Sequence, residues 1–177
     1  MSFLDEHVNF REVDPIDSFA ARQARNTKPF IPKRFPLRCN LPKIVSWNCD
    51  GLRRALTKEL PFLTSLAELR PQIVLLQETK LYEGTTEAAT LQALHTVFPN
   101  YTFDTRSCQS RKGYSGVLAA IRKDIQFETV STDAFAFNEE GRLQELKVQF
   151  KGDSERTTLL NLYVLNSSVN CKRYIER

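Results

Sequence analysis

The two stretches that decide the fold are Lys43-Ile44-Val45-Ser46-Trp47-Asn48-Cys49-Asp50-Gly51 and Gln72-Ile73-Val74-Leu75-Leu76-Gln77-Glu78-Thr79-Lys80. Residues 43–48 are rich in β-branched and aromatic side chains, and residues 73–76 form a continuous apolar run, so each stretch predicts a strand. Between them, apolar residues recur at helical spacing. A right-handed crossover would bring the carboxyl ends of the two strands side by side, if the strands are neighbours.

The chain after the second strand continues with one helical pattern and then several strand patterns. Residues 85–98 carry apolar side chains at helical spacing. Strand patterns follow at 101–105, 116–121, 125–130, 143–150 and 157–164. This order predicts an α/β, or layered α+β, sandwich over residues 43–177. Ligand sites in such sheets favour the carboxyl ends of the strands.

Residues 1–42 differ in composition from the rest of the chain. They hold five of the eight prolines and none of the six glycines, which predicts an extended tail or linker. The N-terminus has neither the basic nor the apolar region of a secretory signal, so a non-secreted, intracellular protein is expected. No apolar run approaches the ~18–20 residues of a membrane span. The basic pair Lys33-Arg34 is too short to predict a nuclear signal.

The overall composition is that of a single globular domain, with 177 residues, 41% hydrophobic and 26% charged. Four scattered cysteines and two histidines, with no C-x-x-C pair, make a zinc site or a disulfide framework improbable. A net charge of +4 permits a nucleic-acid partner without demonstrating one.

Polar side chains follow both predicted strands. Asn48 and Asp50 come after the first strand and Glu78 after the second, so their oxygens would converge at one sheet edge. Such oxygens suit Mg²⁺ or Mn²⁺ better than zinc. The alternative is that residues 48–51 form an ordinary turn, since Asn, Asp and Gly are common turn formers. Lys80 is either a phosphate contact or an ordinary solvated lysine.

Five ordered segments resemble one known family. Residues 43–53 and 75–80 are similar to the first two signatures of the exonuclease III type of apurinic/apyrimidinic (AP) endonuclease, in the endonuclease/exonuclease/phosphatase superfamily. Gly113-Tyr114-Ser115-Gly116, Glu140-Gly141-Arg142 and Tyr163-Val164-Leu165-Asn166 resemble later segments of that family, in the same order. The resemblance implies the N-terminal half of a four-layer α/β sandwich, preceded here by the 1–42 tail.

The resemblance also implies a function, which is Mg²⁺-dependent (or Mn²⁺-dependent) hydrolysis of the phosphodiester 5′ to an abasic site in double-stranded DNA. Glu78 would be the principal metal ligand, with Asp50 and Asn48 beside it. Tyr163 and Asn166 would reach the scissile phosphate or the water around it. The DNA backbone would be contacted by Arg53, Lys58, Lys80 and Tyr114. The protein would act where DNA is kept, which is the nucleus (or mitochondrion) of a eukaryote or the cytoplasm and nucleoid of a bacterium.

Plainer interpretations stand beside these roles. Without the resemblance, Tyr163 would be a core residue at the end of an apolar strand. Residues 113–116 would be a hairpin turn. Arg142 is expected to be more structural than catalytic. For the whole chain, the alternatives are a non-catalytic DNA-binding or protein-interaction remnant of the family, and a related phosphodiesterase that acts on lipid or inositol phosphates.

Two departures from the family pattern affect these expectations. Leu165 stands where the family has proline. The family's second-half motifs are absent, since no tryptophan follows Trp47 and no histidine follows His95. We therefore expect an incomplete, inactive domain whose half-sandwich exposes an apolar face that a complementing chain or a second copy could cover. The residues expected on that face are Val117, Leu118, Ile121, Leu160, Leu162 and Val164.

Overall fold

The computed structural model describes residues 42–82, 84–132 and 136–165. Its helices are α1 (Leu52–Lys58), α2 (Leu60–Glu68) and α3 (Thr85–Val97), with a short 3₁₀ helix at Ala136–Glu140. Its strands are β1 (Ile44–Asn48), β2 (Ile73–Gln77), β3 (Tyr101–Arg106), β4 (Val117–Arg122), β5 (Gln126–Val130), β6 (Leu143–Gln149) and β7 (Thr157–Leu162).

The first sheet has the order β1-β2-β4-β3. β1 and β2 are parallel neighbours, with Asn48 paired with Gln77, so the condition for their carboxyl ends to lie side by side is met and both strands end at the same edge. β4 runs antiparallel to β2 and begins at that edge, with Val117 opposite Gln77. The carboxyl ends of β1 and β2 therefore meet the start of β4.

One face of the first sheet is covered by the helices. Leu52, Leu63 and Leu94 are fully buried in a cluster with β2 and β4 residues such as Leu76 and Leu118. Trp47 of β1 contacts Phe62 of α2 edge to face, with ring centroids 5.0 Å apart. The helices thus form one complete layer of the sandwich.

The other face of the first sheet packs against the second sheet, which is antiparallel with the order β5-β6-β7. Ile73 and Ile121 of the first sheet are buried with Leu146 and Val148 of β6. The described residues therefore build three layers, a helix layer and two sheets, as expected for part of the predicted four-layer sandwich.

The prediction of an exposed apolar face is partly wrong. Val117, Leu118 and Ile121 are fully buried, because β4 lies inside the first sheet and is covered on both sides by the chain's own helices and second sheet. The rest of the prediction is confirmed, with Leu160 60%, Leu162 49% and Val164 53% exposed. These three residues, termed the β7 strip below, lie on the outer face of the second sheet.

A chain of polar side chains crosses the interior between the two sheets. Gln77 Nε2 donates to Asn161 Oδ1 at 2.7 Å, and Asn161 Nδ2 donates to Gln144 Oε1 at 3.2 Å. Gln144 Nε2 in turn donates to Asp104 Oδ2 at 2.9 Å, which also accepts from Thr129 Oγ1 at 2.8 Å. Buried polar groups are stable when they are paired in this way, and the network fixes the register of one sheet on the other.

Across the described part of the chain, no helix is long and apolar enough to cross a membrane. The expected boundary between a 1–42 tail and a 43–177 domain stays a prediction, since residues 1–41 and 166–177 lie outside the described residues.

Candidate active site

Three segments are joined beyond the strand ends by backbone hydrogen bonds. The Gly51 and Leu52 N–H groups donate to the carbonyls of Glu78 and Thr79, at 2.7 and 2.9 Å. The Thr79 and Lys80 N–H groups donate to the carbonyls of Gly116 and Ser115, at 3.1 and 2.8 Å. The segments after β1 and β2 and the turn before β4 therefore form one continuous backbone platform at the sheet edge.

Backbone strain is concentrated on this platform. Five non-glycine residues in the described ranges have a positive φ, and four of them lie here: Asp50 (46°), Glu78 (52°), Lys80 (53°) and Ser115 (52°). The left-handed region is unfavourable for residues with a Cβ, and such conformations cluster at functional sites. The strain marks the platform as a site independently of any motif.

The neighbouring glycine explains part of this geometry. Gly116 has a φ of 86°, and a Cβ on it would lie 2.5 Å from Thr79 Oγ1. Only glycine allows the segment after β2 to approach the turn before β4 so closely. Residues 113–116, which could have been a simple hairpin turn, are therefore part of the platform.

Asn48, Asp50 and Glu78 meet at this edge as the sequence predicts. Asn48 Nδ2 donates to Glu78 Oε1 at 2.9 Å, while Asn48 Oδ1 accepts from the Asp50 N–H at 3.1 Å. The Glu78 side chain is 21% exposed and that of Asp50 58% exposed. The two carboxylates are thus linked through one amide, at the surface of the sheet edge.

Lys80 lies between the two carboxylates. Its ammonium group donates to Asp50 Oδ1 and lies 3.6 Å from Glu78 Oε2. Arg54 adds a second cation, with Nη2 3.4 Å from Asp50 Oδ2. Lys80 is therefore not an isolated solvated lysine, because its ammonium group is held between the two carboxylates.

The pKa values at the site follow from these contacts. The hydrogen bond from Lys80, reinforced by the charges of Lys80 and Arg54, holds the pKa of Asp50 below its usual range. The same hydrogen bond raises the pKa of Lys80. Asp50 is thus a carboxylate, and Lys80 an ammonium, throughout the neutral pH range.

Cys49 lies between Asn48 and Asp50, just after β1, but is buried in the core. Burial raises the pKa of its thiol to about 12, and its Sγ donates to the Gln77 carbonyl at 3.3 Å. The thiol therefore stays protonated at neutral pH.

A cleft of about 610 Å³ opens beside the platform. It lies between the start of α1, the segment after β2, the start of α3 and the loop before β4. Its charged lining residues are Asp50, Arg53, Arg54, Lys80, Glu87 and Lys112. Arg53, a predicted DNA-binding residue, therefore shares a cleft with Asp50 and Lys80, whereas Lys58 lies exposed at the end of α1 outside this lining.

Tyr163 and Tyr114 lie together on another side of the platform. Tyr163 is 9% exposed and packs with Val117 and Leu165, and Tyr114 packs against the same cluster. The alternative of a core position for Tyr163 therefore holds for its packing, while the predicted catalytic role stays a prediction. Asn166 lies outside the described residues.

The donor set can be tested against the expected divalent cation. Among the described residues, no group of three or more His, Cys, Asp and Glu side chains is arranged to hold a metal. Mg²⁺ is commonly bound through one or two carboxylates with several retained waters, so the pair Asp50 and Glu78 fits it, together with the Asn48 amide. Its binding would compete with the Lys80 ammonium for both carboxylates.

Several contacts of the site were not predicted from the sequence. The contact of Arg54 was missed because this residue lies on an outward helical face. The Gln77–Asn161 hydrogen bond was missed because its partners are 84 positions apart in the sequence. The polar Gln77 at the end of an otherwise apolar strand was the one available signal, since a buried amide requires a partner.

Comparison with known proteins gives a consistent result. The model of the Endonuclease/Exonuclease/phosphatase family matches residues 45–156, which is more than half of the chain. Exodeoxyribonuclease of Streptococcus pneumoniae is 33% identical over 92 residues, covering 47% of this chain and 34% of that protein. Exodeoxyribonuclease of Bacillus subtilis is 29% identical over 135 residues, covering 76% of this chain and 46% of that protein.

The fold agrees with a solved structure as well. AP endonuclease LMAP from Leishmania major matches with a TM-score of 0.60 and 28% identity, covering 76% of this chain and 43% of that one. The chain thus spans less than half of the length of each of these three proteins. The part matched by the family model contains all of β1 except Ile44, the whole of β2, and the strained platform between residues 48 and 116.

Proposed function

The chain belongs to the endonuclease/exonuclease/phosphatase family and resembles its exonuclease III-type AP endonucleases. From that premise we propose that it contributes a metal-and-phosphate site for hydrolysis of DNA phosphodiesters. The proposed reaction is cleavage 5′ to an abasic site in duplex DNA, in base excision repair. The observation that carries the proposal is the convergence of Asn48, Asp50, Glu78 and Lys80 on one backbone platform, where the last three have left-handed conformations. A DNA substrate implies a DNA-containing compartment, such as a nucleus, mitochondrion or nucleoid.

The chemistry requires a divalent cation beside the phosphate. Glu78 and Asp50 would hold Mg²⁺ or Mn²⁺, which neutralises charge that develops on the phosphate and the leaving oxygen. Asn48 holds the Glu78 carboxylate in place through the 2.9 Å hydrogen bond. When the divalent cation takes the place of the Lys80 ammonium group at Asp50, that ammonium group becomes available to bind a phosphate oxygen.

Other residues would position the DNA rather than react with it. Arg53 lines the cleft beside Asp50, and Lys58 follows it on α1. Tyr114 would contact the backbone from the loop before β4. Tyr163 and Asn166 would instead have a catalytic role, at the scissile phosphate or the water around it. Contacts to phosphates fix the register of a protein on DNA without reading bases, which a lesion-specific enzyme requires.

We propose that the β7 strip packs against further polypeptide of the family's fold. The strip is the largest exposed apolar feature of the second sheet, and a strand face of this kind is normally covered. Two observations support this proposal. The helices already cover the outer face of the first sheet, and the outer face of the second sheet has no such layer in the described residues. The covering polypeptide could belong to the same chain, a complementing chain or a second copy.

The sequence of these 177 residues has no counterpart to the family's second-half motifs, so we propose that they bind DNA and metal without efficient turnover on their own. The test uses a duplex with one abasic-site analogue, with Mg²⁺ or with a chelator. The chain is assayed alone and joined to the C-terminal part of the Bacillus subtilis exodeoxyribonuclease. We expect binding by the chain alone, and nicking only by the joined protein with Mg²⁺.

The Glu78→Gln variant is the matched control, since it removes the charge and keeps the shape. We expect it to abolish nicking by the joined protein, with circular dichroism confirming that the protein is folded. Persistent nicking by this variant would contradict the site assignment. Binding without nicking by a correctly folded joined protein would favour the non-catalytic DNA-binding remnant, and cleavage of lipid or inositol phosphates would favour the third candidate.

A further inference from the structure

The cleft beside the platform has cations on two different structural elements. Arg53 and Arg54 come from the start of α1, and Lys112 comes from the loop before β4. Of the carboxylates in the lining, Asp50 is paired with Lys80 and Arg54. Glu87 Oε1 accepts from Thr105 at 3.2 Å, while Glu87 Oε2 is buried without a hydrogen-bond partner in the described part of the chain and so does not pair with Arg53 or Lys112. Among the described residues, no carboxylate lies within 4.0 Å of Arg53 or Lys112. Arg53 on α1 and Lys112 in the loop before β4 are therefore both available to bind an anion in the cleft.

Lys112 is held by an aromatic ring. Its Nζ lies 4.9 Å from the centroid of the Tyr82 ring, and Tyr82 lines the same cleft with 36% of its surface exposed. An ammonium over a ring face is attracted by the ring quadrupole and loses part of its freedom. Gly113 follows, and a Cβ on it would meet no atom within 4 Å, so the loop leaves open space beside the lysine.

We propose that Lys112, positioned by Tyr82, binds a backbone phosphate of duplex DNA across the cleft from the scissile site. This inference rests on the proposed function, because it takes duplex DNA as the ligand, and it adds one phosphate contact to those of Arg53 and Lys58. Lys112 is the binding residue, and Tyr82 is a positioning residue that acts through it.

Duplex DNA is favoured over a small anion because the cations without a carboxylate partner come from two elements, Arg53 from α1 and Lys112 from the loop before β4. Successive phosphates along one strand can engage both elements at once. Neutralising each phosphate releases condensed counterions, so each contact contributes to the salt dependence of binding.

The experiment measures fluorescence anisotropy of a labelled duplex with the whole 177-residue chain, in chelator, over a series of KCl concentrations. We expect Lys112→Gln to weaken binding several-fold and to reduce the slope of log K against log [KCl] by about 0.9, the value for one phosphate contact. Lys151→Gln is the matched control, since Lys151 is exposed in the turn between β6 and β7 and does not line the cleft. We expect it to leave the slope unchanged.

Tyr82 is tested through Lys112. We expect Tyr82→Phe to bind DNA like the wild type, because the ring face remains, and Tyr82→Leu to weaken binding by about two- to fivefold, the value of an exposed cation–π contact. The double variant with Lys112→Gln should bind no more weakly than Lys112→Gln alone. Thermal denaturation of each variant checks that the fold is intact.

Three results would overturn the inference. The first is a Lys112→Gln variant with the salt slope of the wild type. The second is a Tyr82→Leu effect that persists in full when Lys112 is already replaced, which would indicate direct stacking of Tyr82 on a base. The third is a wild-type chain that shows no salt-dependent binding. Because turnover is not measured, failure of the proposed cleavage with the expected slopes would leave this inference standing.

Discussion

Asn48 Nδ2 donates a hydrogen bond to Glu78 Oε1 at 2.9 Å, so the last residue of β1 holds the carboxylate that follows β2. The other end of the same amide accepts from the Asp50 N–H at 3.1 Å. One amide therefore fixes the relative position of two segments that are 30 residues apart in sequence. Metal affinity should depend on this amide even where the carboxylates are unchanged.

The first prediction concerns this amide. Asn48→Ala should weaken Mn²⁺ or Mg²⁺ binding by about tenfold, because a carboxylate that loses its hydrogen-bond partner is no longer held in the binding orientation. Glu78→Gln should remove measurable binding. Isothermal titration calorimetry without DNA measures both. Glu155→Gln is the control, since this exposed carboxylate lies between β6 and β7, away from the Asn48–Glu78 pair, and should not change affinity. Equal affinities of Asn48→Ala and the wild type would show that the amide does not position Glu78.

The second prediction compares two glycines that both have a positive φ. A Cβ on Gly141 (φ 62°) would lie 2.6 Å from the Arg106 carbonyl oxygen, whereas one on Gly152 (φ 97°) would meet nothing within 4 Å. Gly141→Ala should lower the free energy of unfolding by about 2–4 kcal/mol, through a backbone clash and strain. Gly152→Ala should cost only the strain, about 1 kcal/mol. Urea denaturation of both variants measures the difference, and equal losses would mean that the contact at Gly141 relaxes freely.

The third prediction tests the polar network between the sheets. Asn161→Leu would leave Gln77 Nε2 without its 2.7 Å acceptor and Gln144 Oε1 without its donor. Buried polar groups that lose a partner cost about 1–3 kcal/mol in unfolding free energy. Thr158→Ala, at an exposed position of the same strand, should change stability by less than about 0.5 kcal/mol. If Asn161→Leu proves as stable as the wild type, the network contributes only to the choice of register.

The fourth prediction concerns the thiol at the site. Because burial raises the pKa of Cys49 to about 12, its reactive thiolate is scarce at pH 8 and becomes abundant only as the pH approaches that value. Iodoacetamide at pH 8 should therefore leave the Cys49 peptide unmodified in the folded chain. In guanidinium, where the thiol returns to an ordinary pKa, the same peptide should be modified within minutes. Rapid modification of the folded chain, located by mass spectrometry, would contradict the burial of this side chain.

The fifth prediction concerns the β7 strip. Leu160→Ser and Leu162→Ser together should reduce self-association of the 177-residue chain, measured by light scattering after gel filtration. The change should cost little stability, because both side chains are about half exposed already. Leu60→Ser, at an exposed residue on the helix layer, controls for a general loss of apolar surface. Unchanged association of the double variant would show that the strip is not the contact surface.

The strand pattern predicted the part of the fold that positions the site. Residues 43–48 and 72–77 predicted two strands whose carboxyl ends would lie side by side if the strands were neighbours, and the structure shows that they pair, with Asn48 opposite Gln77. That register brings Asn48, Asp50 and Glu78 to one edge of the sheet. These features depend on local composition and on the handedness of the crossover, both of which are readable in a sequence.

Other features depend on packing that a single sequence does not specify. The prediction that Val117, Leu118 and Ile121 would be exposed assumed that half a sandwich leaves its inner face open. It was wrong because the helices cover Leu118, while Ile121 packs against the second sheet and Val117 against Tyr163 and Leu165. The contact of Lys80 with Asp50 was missed because it depends on the left-handed φ of both residues. Backbone conformations of that kind are set by tertiary contacts, such as the approach of Thr79 to Gly116.

The contact between Trp47 and Phe62 has a practical consequence. Trp47 is the only tryptophan of the chain, and it precedes Asn48, the residue that holds Glu78. Its indole packs on α2, so the tryptophan fluorescence of the protein, excited at a wavelength that tyrosine does not absorb, comes from one ring at the junction of the helix layer and the site-bearing strand. Undocking of α2, or a shift of β1 when a cation binds, would change the emission of that single ring. The chain therefore carries a built-in optical reporter, positioned one residue away from the chemistry that it would report.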